Sequence, residues 1–156
     1  MKKFTIDDQA IIEEIIRKAS VCTLSMCVGN KPYAVPMNFG YDDGIIFLHS
    51  TQKGKKTDIL EQNNNVCISF YVDEKLNIRH EQVACSYSMK FRSVLAFGKL
   101  ENITDHGEKV KGMNEVMKQY TGRSFSYKTP AIKGVRVMKV HVDRFTAFNR
   151  GYNDNK

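Results

Sequence analysis

From residue 21 to residue 50 the apolar side chains fall on every second position, and two turn signals divide the run. The stretch "VCTLSMCV" sets Cys22, Leu24, Met26 and Val28 on one side, and "GNKP" breaks it. "YAVPMNFGY" then sets Tyr33, Val35, Met37, Phe39 and Tyr41 on one face, "DDG" makes a tight turn, and "IIFLHS" returns. A period of two punctuated by short turns dictates an antiparallel meander. A sheet with one apolar face must close on itself or be covered.

The rest of the chain supplies more strands and a few covers. Asp7 or Asp8 caps a first helix in which Ile11, Ile12, Ile15 and Ile16 recur at helical spacing. A short helix over about 57–62 follows the meander, then "VCISFYV" as a strand over 66–72 and a polar connection. The β-rich stretch 83–103 reads as two strands or one strongly bent one. Asp105 with Glu108 forms a capping box, Val110, Met113, Val116, Met117 and Tyr120 make a helical stripe, and Gly122 is its C-cap. A last strand spans 135–148. Six or seven strands with three helices predict a mainly β fold, an antiparallel barrel with peripheral helices. The 156 residues form one domain, 1–156, with a polar, frayed tail from about 150.

The net charge of +7 invites an anionic partner. The basic residues form no stripe with interleaved aromatics, which disfavours nucleic acid. Four cysteines lack C-x-x-C or zinc-ligand spacing; Cys22, Cys67 and Cys85 lie in apolar runs and read as reduced core residues of a cytoplasmic protein. The N-terminus has no apolar h-region, and no stretch predicts a membrane span.

Two features carry chemistry. In the second strand Ala34, Pro36, Asn38 and Gly40 leave one face bare, which suits an edge strand in solvent or close approach of a flat ligand. After the third strand, "HSTQKGKK" gathers His49, Ser50, Thr51, Gly54, Lys55 and Lys56 before a helix start. Glycine frees backbone N–H groups to turn toward an anion, and the lysines add charge. The spacing is not that of a Walker loop, and no G-x-G-x-x-G follows a strand. The hairpin turn at Gly44 brings Asn38 near the residues just before His49, so the bare face and the Gly-Lys-Lys loop can border one cleft.

These segments, with "ASVCTLSM", "NNNVCISF" and "KFRSVLAFGKLENI", resemble the flavin-nucleotide-binding split barrels related to pyridoxamine 5′-phosphate oxidase, and most of all their nitroimidazole-resistance branch. The resemblance implies an antiparallel split β-barrel that binds FMN, with FAD also open, as a homodimer with the cofactor at the interface. It would set Pro36, Met37, Asn38 and Phe39 along the ring, His49 and Ser50 beside it, and Gly54, Lys55 and Lys56 on the phosphate. Arg92 and Ser93 would help build the cofactor site and interface, and Arg150 departs from the usual ending of the last strand. The implied activity is nitroreductase-like reduction of a small electron-poor substrate, with His49 as the catalytic residue. A flavin carrier or sensor without turnover, or a barrel holding haem or deazaflavin, shares the same sequence features. The basic positions for a second, vitamin phosphate are not found.

Overall fold

The structure, a computed structural model, describes residues 3–152. Among these, eight strands, four α-helices and one 3-10 turn at Ala84–Ser86 make up the fold. The order is β1 (Lys3–Ile6), α1 (Gln9–Lys18), β2 (Cys22–Val28), β3 (Lys31–Met37), β4 (Phe39–Asp42), β5 (Ile45–Ser50), α2 (Lys55–Gln62), β6 (Asn65–Ile78), β7 (Tyr87–Ile103), α3 (His106–Thr121), α4 (Thr129–Gly134) and β8 (Arg136–Arg150).

All strand pairs are antiparallel, in the order β3-β2-β6-β7-β8-β5-β4, with β1 added to β8. The two edge strands β3 and β4 are consecutive in the chain and are separated only by Asn38. The single strand expected over 33–41 is therefore two, because its halves pair differently: β3 with β2, and β4 with β5. This change of partner splits the barrel. The expected alternation holds throughout, with Leu24, Phe39, Leu48, Ile68, Phe70 and Val94 fully buried inside.

Two further expectations change, and one open alternative is decided. The polar connection after residue 72 is strand, carried to Ile78 through a bulge at which Asp73 takes φ 62°. The 83–103 stretch yields one long strand beginning at Tyr87, bent between Phe97 and Gly98 where β8 skips a residue. A Cβ on Gly98 would lie 2.3 Å from the His141 carbonyl oxygen, so the bend requires glycine. Of the tail, Arg150 is strand, and Tyr152 is tied down by its hydroxyl to the Asp73 carbonyl; residues 153–156 lie outside the described residues.

The caps form as read. Asp8 accepts from the Ala10 N–H, Asp105 accepts from the Glu108 N–H, and Gly122 ends α3 in the left-handed region. Helix α3 seats on β4 and β5 because both sides are cut back. A Cβ on Gly40 would come within 2.6 Å of the backbone of Glu115 and Val116, and Gly112 meets Phe47 and Val137. No described helix is long and apolar enough to cross a membrane.

All four cysteines are free thiols, but only Cys22 is core; Cys67 is half-buried and Cys85 exposed. Burial pushes the Cys22 thiol up to about 12 against a smaller lowering by its own backbone, and the thiol donates to the Met37 carbonyl. Thiol reagents attack the thiolate. Native protein is expected to lose Cys85 to a thiol reagent first and to keep Cys22 until it unfolds, read by peptide mass spectrometry. Early labelling of Cys22 would contradict the packing.

Candidate functional site

The alternation that fills the barrel also sets its outer face. In β3 and β4, Met37, Phe39 and Tyr41 point inward and are buried, while Ala34, Pro36 and Asn38 point outward and are exposed. Gly40 points outward as well, but α3 covers it, so its small size serves helix packing rather than a ligand. In β5, Ile46 and Leu48 point inward. Phe47 points outward beneath α3. His49 is the next outward residue. Phe39 pairs with Leu48, so Asn38 falls level with His49.

His49 carries the site's one unresolved polar demand. Its Nδ1 is buried and has no hydrogen-bond partner among the described residues. A buried ring nitrogen without a partner is costly. Burial, and then the charge of Lys56, lower the imidazole pKa below its ordinary value, so the ring is neutral at neutral pH. Beside it the Asn38 hinge is pinned: the Phe39 N–H donates to the Tyr120 hydroxyl at 3.2 Å, which donates to the Ser20 carbonyl at 2.9 Å. The sequence presents Tyr120 only as part of a helical stripe. Tyr127, between α3 and α4, has a buried hydroxyl without a partner, and no sequence signal marks it.

The loop after β5 leads into α2 through Gly54, whose φ of 139° strains any residue with a side chain. A Cβ there would meet nothing, so the need is conformational. Ser50 and Thr51 carry hydroxyl protons that an anion could accept. They donate them within the loop instead, Ser50 to the Thr51 carbonyl and Thr51 to the Lys53 carbonyl, each at 2.9 Å. What remains for an anion is the first turn of α2, whose N–H groups lack partners within the helix, together with Lys55 and Lys56. Lys55 lays its ammonium 4.6 Å from the centre of the Tyr33 ring on β3. Lys56 is half-buried, which lowers its own pKa. The loop thus meets β3 at Tyr33, on the face opposite Ala34 and Pro36, and acts on His49 through the charge of Lys56.

Arg92 and Ser93 do not join it within this chain. As neighbours on a strand they point to opposite faces. Arg92 turns toward α1, where Nε donates to Asp73 at 2.7 Å and a terminal nitrogen reaches Glu14 at 3.2 Å. Lys18 also pairs with Asp73. Burial alone would raise the Asp73 carboxyl, but hydrogen bonds and charges from Lys18 and Arg92 outweigh it and hold the pKa down. Arg92 therefore ties β7, the β6 bulge and α1 together. It sits opposite Asn149, whereas His49 sits opposite Val137 at the other end of β8. Ser93 faces outward opposite Tyr71. Arg150 ends β8 opposite Phe91 and Lys3.

The architecture is that of a split barrel with a glycine–lysine–lysine helix start next to a half-buried histidine. The model of the pyridoxamine 5′-phosphate oxidase family matches residues 8–149, and the chain belongs to that family. It is 42% identical to a Bacteroides thetaiotaomicron protein provisionally assigned to 5-nitroimidazole antibiotic resistance, with a TM-score of 0.84 over 94% of this chain and 87% of that one. The flavocytochrome Anf3 of Azotobacter vinelandii shares the fold at 18% identity and a TM-score of 0.79, over 97% of this chain and 72% of that one. A FAD-binding protein of Mesorhizobium loti does so at 18% identity and 0.69, over 97% and 100%. No curated protein matches.

Proposed function

We propose that the protein is a homodimeric flavoprotein oxidoreductase that binds FMN and passes electrons to small electron-poor molecules, with nitroimidazoles and other nitroaromatics the favoured class. The observation that carries this reading is a buried histidine nitrogen without a partner, level with the exposed Asn38 and acted on by Lys56 of the glycine–lysine–lysine helix start. The 42% identity to the nitroimidazole-resistance protein supports the substrate class. The same loop would serve the first phosphate of FAD. Four free thiols suit a reducing cytoplasm.

On this reading a bound flavin supplies the two-electron chemistry. Pro36 and Asn38 offer the ring their outward surface. Met37 and Phe39, whose side chains are in the core, offer backbone only. Ser50 keeps the loop closed, and Gly54, Lys55 and Lys56 hold the phosphate. His49, held neutral, presents a ring N–H beside the substrate and delivers a proton in the fraction that is charged.

The test is a purified protein whose absorption spectrum and released chromophore identify FMN, followed by His49→Ala. The variant is expected to keep its flavin and to reduce a nitroimidazole about 10²-fold more slowly. The His49-dependent rate is expected to fall as pH rises through a value below the ordinary imidazole pKa of about 6.5. An unchanged rate would remove His49 from the chemistry, and a colourless protein that takes up neither FMN nor FAD would end the cofactor reading.

A further inference from the structure

Tyr120 closes the apolar stripe of α3, and its two parts meet different surroundings. The hydroxyl is engaged twice: it accepts the Phe39 N–H at 3.2 Å and donates to the Ser20 carbonyl at 2.9 Å. On the core side the fully buried Phe39 ring stands 6.4 Å away at 76°, an edge contact. A side chain held at its tip and propped from one side has little freedom left to lose on binding. Yet the residue is 40% exposed. The hydroxyl explains the pinning of the hinge, but it does not explain why an aromatic ring is left in water.

The ring stands where other features of the site meet. Its hydroxyl touches the peptide that joins Asn38 to Phe39, at the break between β3 and β4. Cys22 pairs with Met37 and points inward, so Val21 points outward, level with Asn38. Val21 follows the Ser20 that holds Tyr120, and it is 45% exposed. Across the β4–β5 hairpin, His49 falls level with Asn38 on the other flank. Pro36, two residues before Asn38, is exposed on the same outer side. Asn38 is thus bordered by Val21 and His49 on its flanks and by Tyr120 at its own peptide.

That composition selects a ligand. Val21, Pro36 and the Tyr120 ring offer apolar surface, Asn38 an amide, and His49 a ring nitrogen still without a partner. With His49 neutral, none of the five is charged. A charged ligand would find no counter-charge among them, and a neutral one needs none. A phenol ring is electron-rich, and its negative face attracts a ring from which electrons have been withdrawn. The polar substituents that withdraw them, nitro oxygens for example, are acceptors for the Asn38 amide and a histidine N–H.

We propose that Tyr120 is the specificity residue of this site: its ring is the platform on which a neutral, flat, electron-poor aromatic acceptor lies over Asn38, between Val21 and His49. The inference rests on the oxidoreductase reading above for the acceptor's role, and adds the residue that selects the acceptor's shape and charge.

The test separates the ring from the hydroxyl. Tyr120→Phe and Tyr120→Leu both lose the two hydrogen bonds at the hinge, and only Tyr120→Leu loses the ring. Binding of meta-dinitrobenzene is measured by calorimetry on the oxidised protein without a reductant, so that nothing turns over. Tyr120→Leu is expected to bind it about 2- to 10-fold more weakly than Tyr120→Phe. Nitrocyclohexane, which keeps a nitro group and lacks the flat ring, should not distinguish the two. In the wild type, the NMR signals of the Tyr120 ring, assigned by their absence from Tyr120→Phe, should shift as dinitrobenzene is added; this reading does not depend on how well Tyr120→Leu folds. Equal dinitrobenzene affinity in the two variants, unmoved Tyr120 signals, or a wild type that does not bind dinitrobenzene overturns the platform. So does a folded Tyr120→Leu protein that has lost flavin while Tyr120→Phe has kept it, because the ring would then hold the cofactor. A wild type that takes up neither FMN nor FAD but binds dinitrobenzene with the same dependence on the ring upholds the platform and removes the flavin reading alone.

Discussion

Gly40→Ala is expected to be severely damaging for a single added methyl group. The new Cβ would lie 2.4 Å from the Glu115 carbonyl carbon and 2.5 Å from the Val116 nitrogen. Both are backbone atoms in the middle of α3, so no side chain can turn aside. Either α3 lifts or β4 bends. Lifting α3 would uncover Phe47, Ile103, Val116 and Val137, and would pull Tyr120 from the Phe39 N–H that pins the Asn38 hinge. Overpacking of a tight core costs about 1–3 kcal/mol, and a clash with fixed backbone lies at or above the top of that range. Urea unfolding should show a loss of about 3 kcal/mol or more, or no folded protein at all. Gly134→Ala is the control, because nothing lies within 4 Å of its Cβ position; it should change stability by less than about 0.5 kcal/mol. Equal stabilities for the two variants would mean that α3 is not seated as described.

That glycine also shows where sequence reading stopped. Alternation legibly assigned Gly40 to the bare face, and the face is real at Ala34, Pro36 and Asn38. Nothing in the alternation says that a helix over seventy residues later would need the space at Gly40. The meander, the caps of α1 and α3 and the Gly54 loop were legible because each depends on neighbours in the chain. The break at Asn38 was not, because it is made by a change of hydrogen-bonding partner. Arg92 shows the same limit. Its strand was legible, but Asp73 and Glu14 reach it only through a β-bulge and the folded-back α1. The extension of β6 to Ile78 was hidden in a stretch that looked like a polar connection, because Lys75 and Asn77 alternate with Leu76 and Ile78 and dilute the apolar pattern.

Lys55→Ala/Lys56→Ala is expected to release FMN, if the loop that carries them belongs to the flavin site. With the Ser50 and Thr51 protons turned into the loop, the lysines and the first turn of α2 are the donors left for a phosphate. A charge-assisted hydrogen bond contributes about 1.5–3 kcal/mol, so loss of the pair should weaken binding by about 10²–10⁴-fold. The two lysines should not weigh equally. Lys55 must leave the Tyr33 ring, a contact worth about 0.5–1 kcal/mol at an exposed site. Lys56 is already half-buried and already acts on His49, so Lys56→Ala should cost more affinity than Lys55→Ala. Lys56→Ala should also let the His49 pKa rise, since it removes the second cause that holds it down. Riboflavin separates charge from fold damage. It has the ring without the phosphate, so its weaker affinity should be the same in wild type and double variant, while FMN loses its advantage. A double variant that retains FMN as tightly as wild type would take the phosphate off this loop, and one that loses riboflavin in equal proportion would show that the lysines shape the site rather than hold an anion.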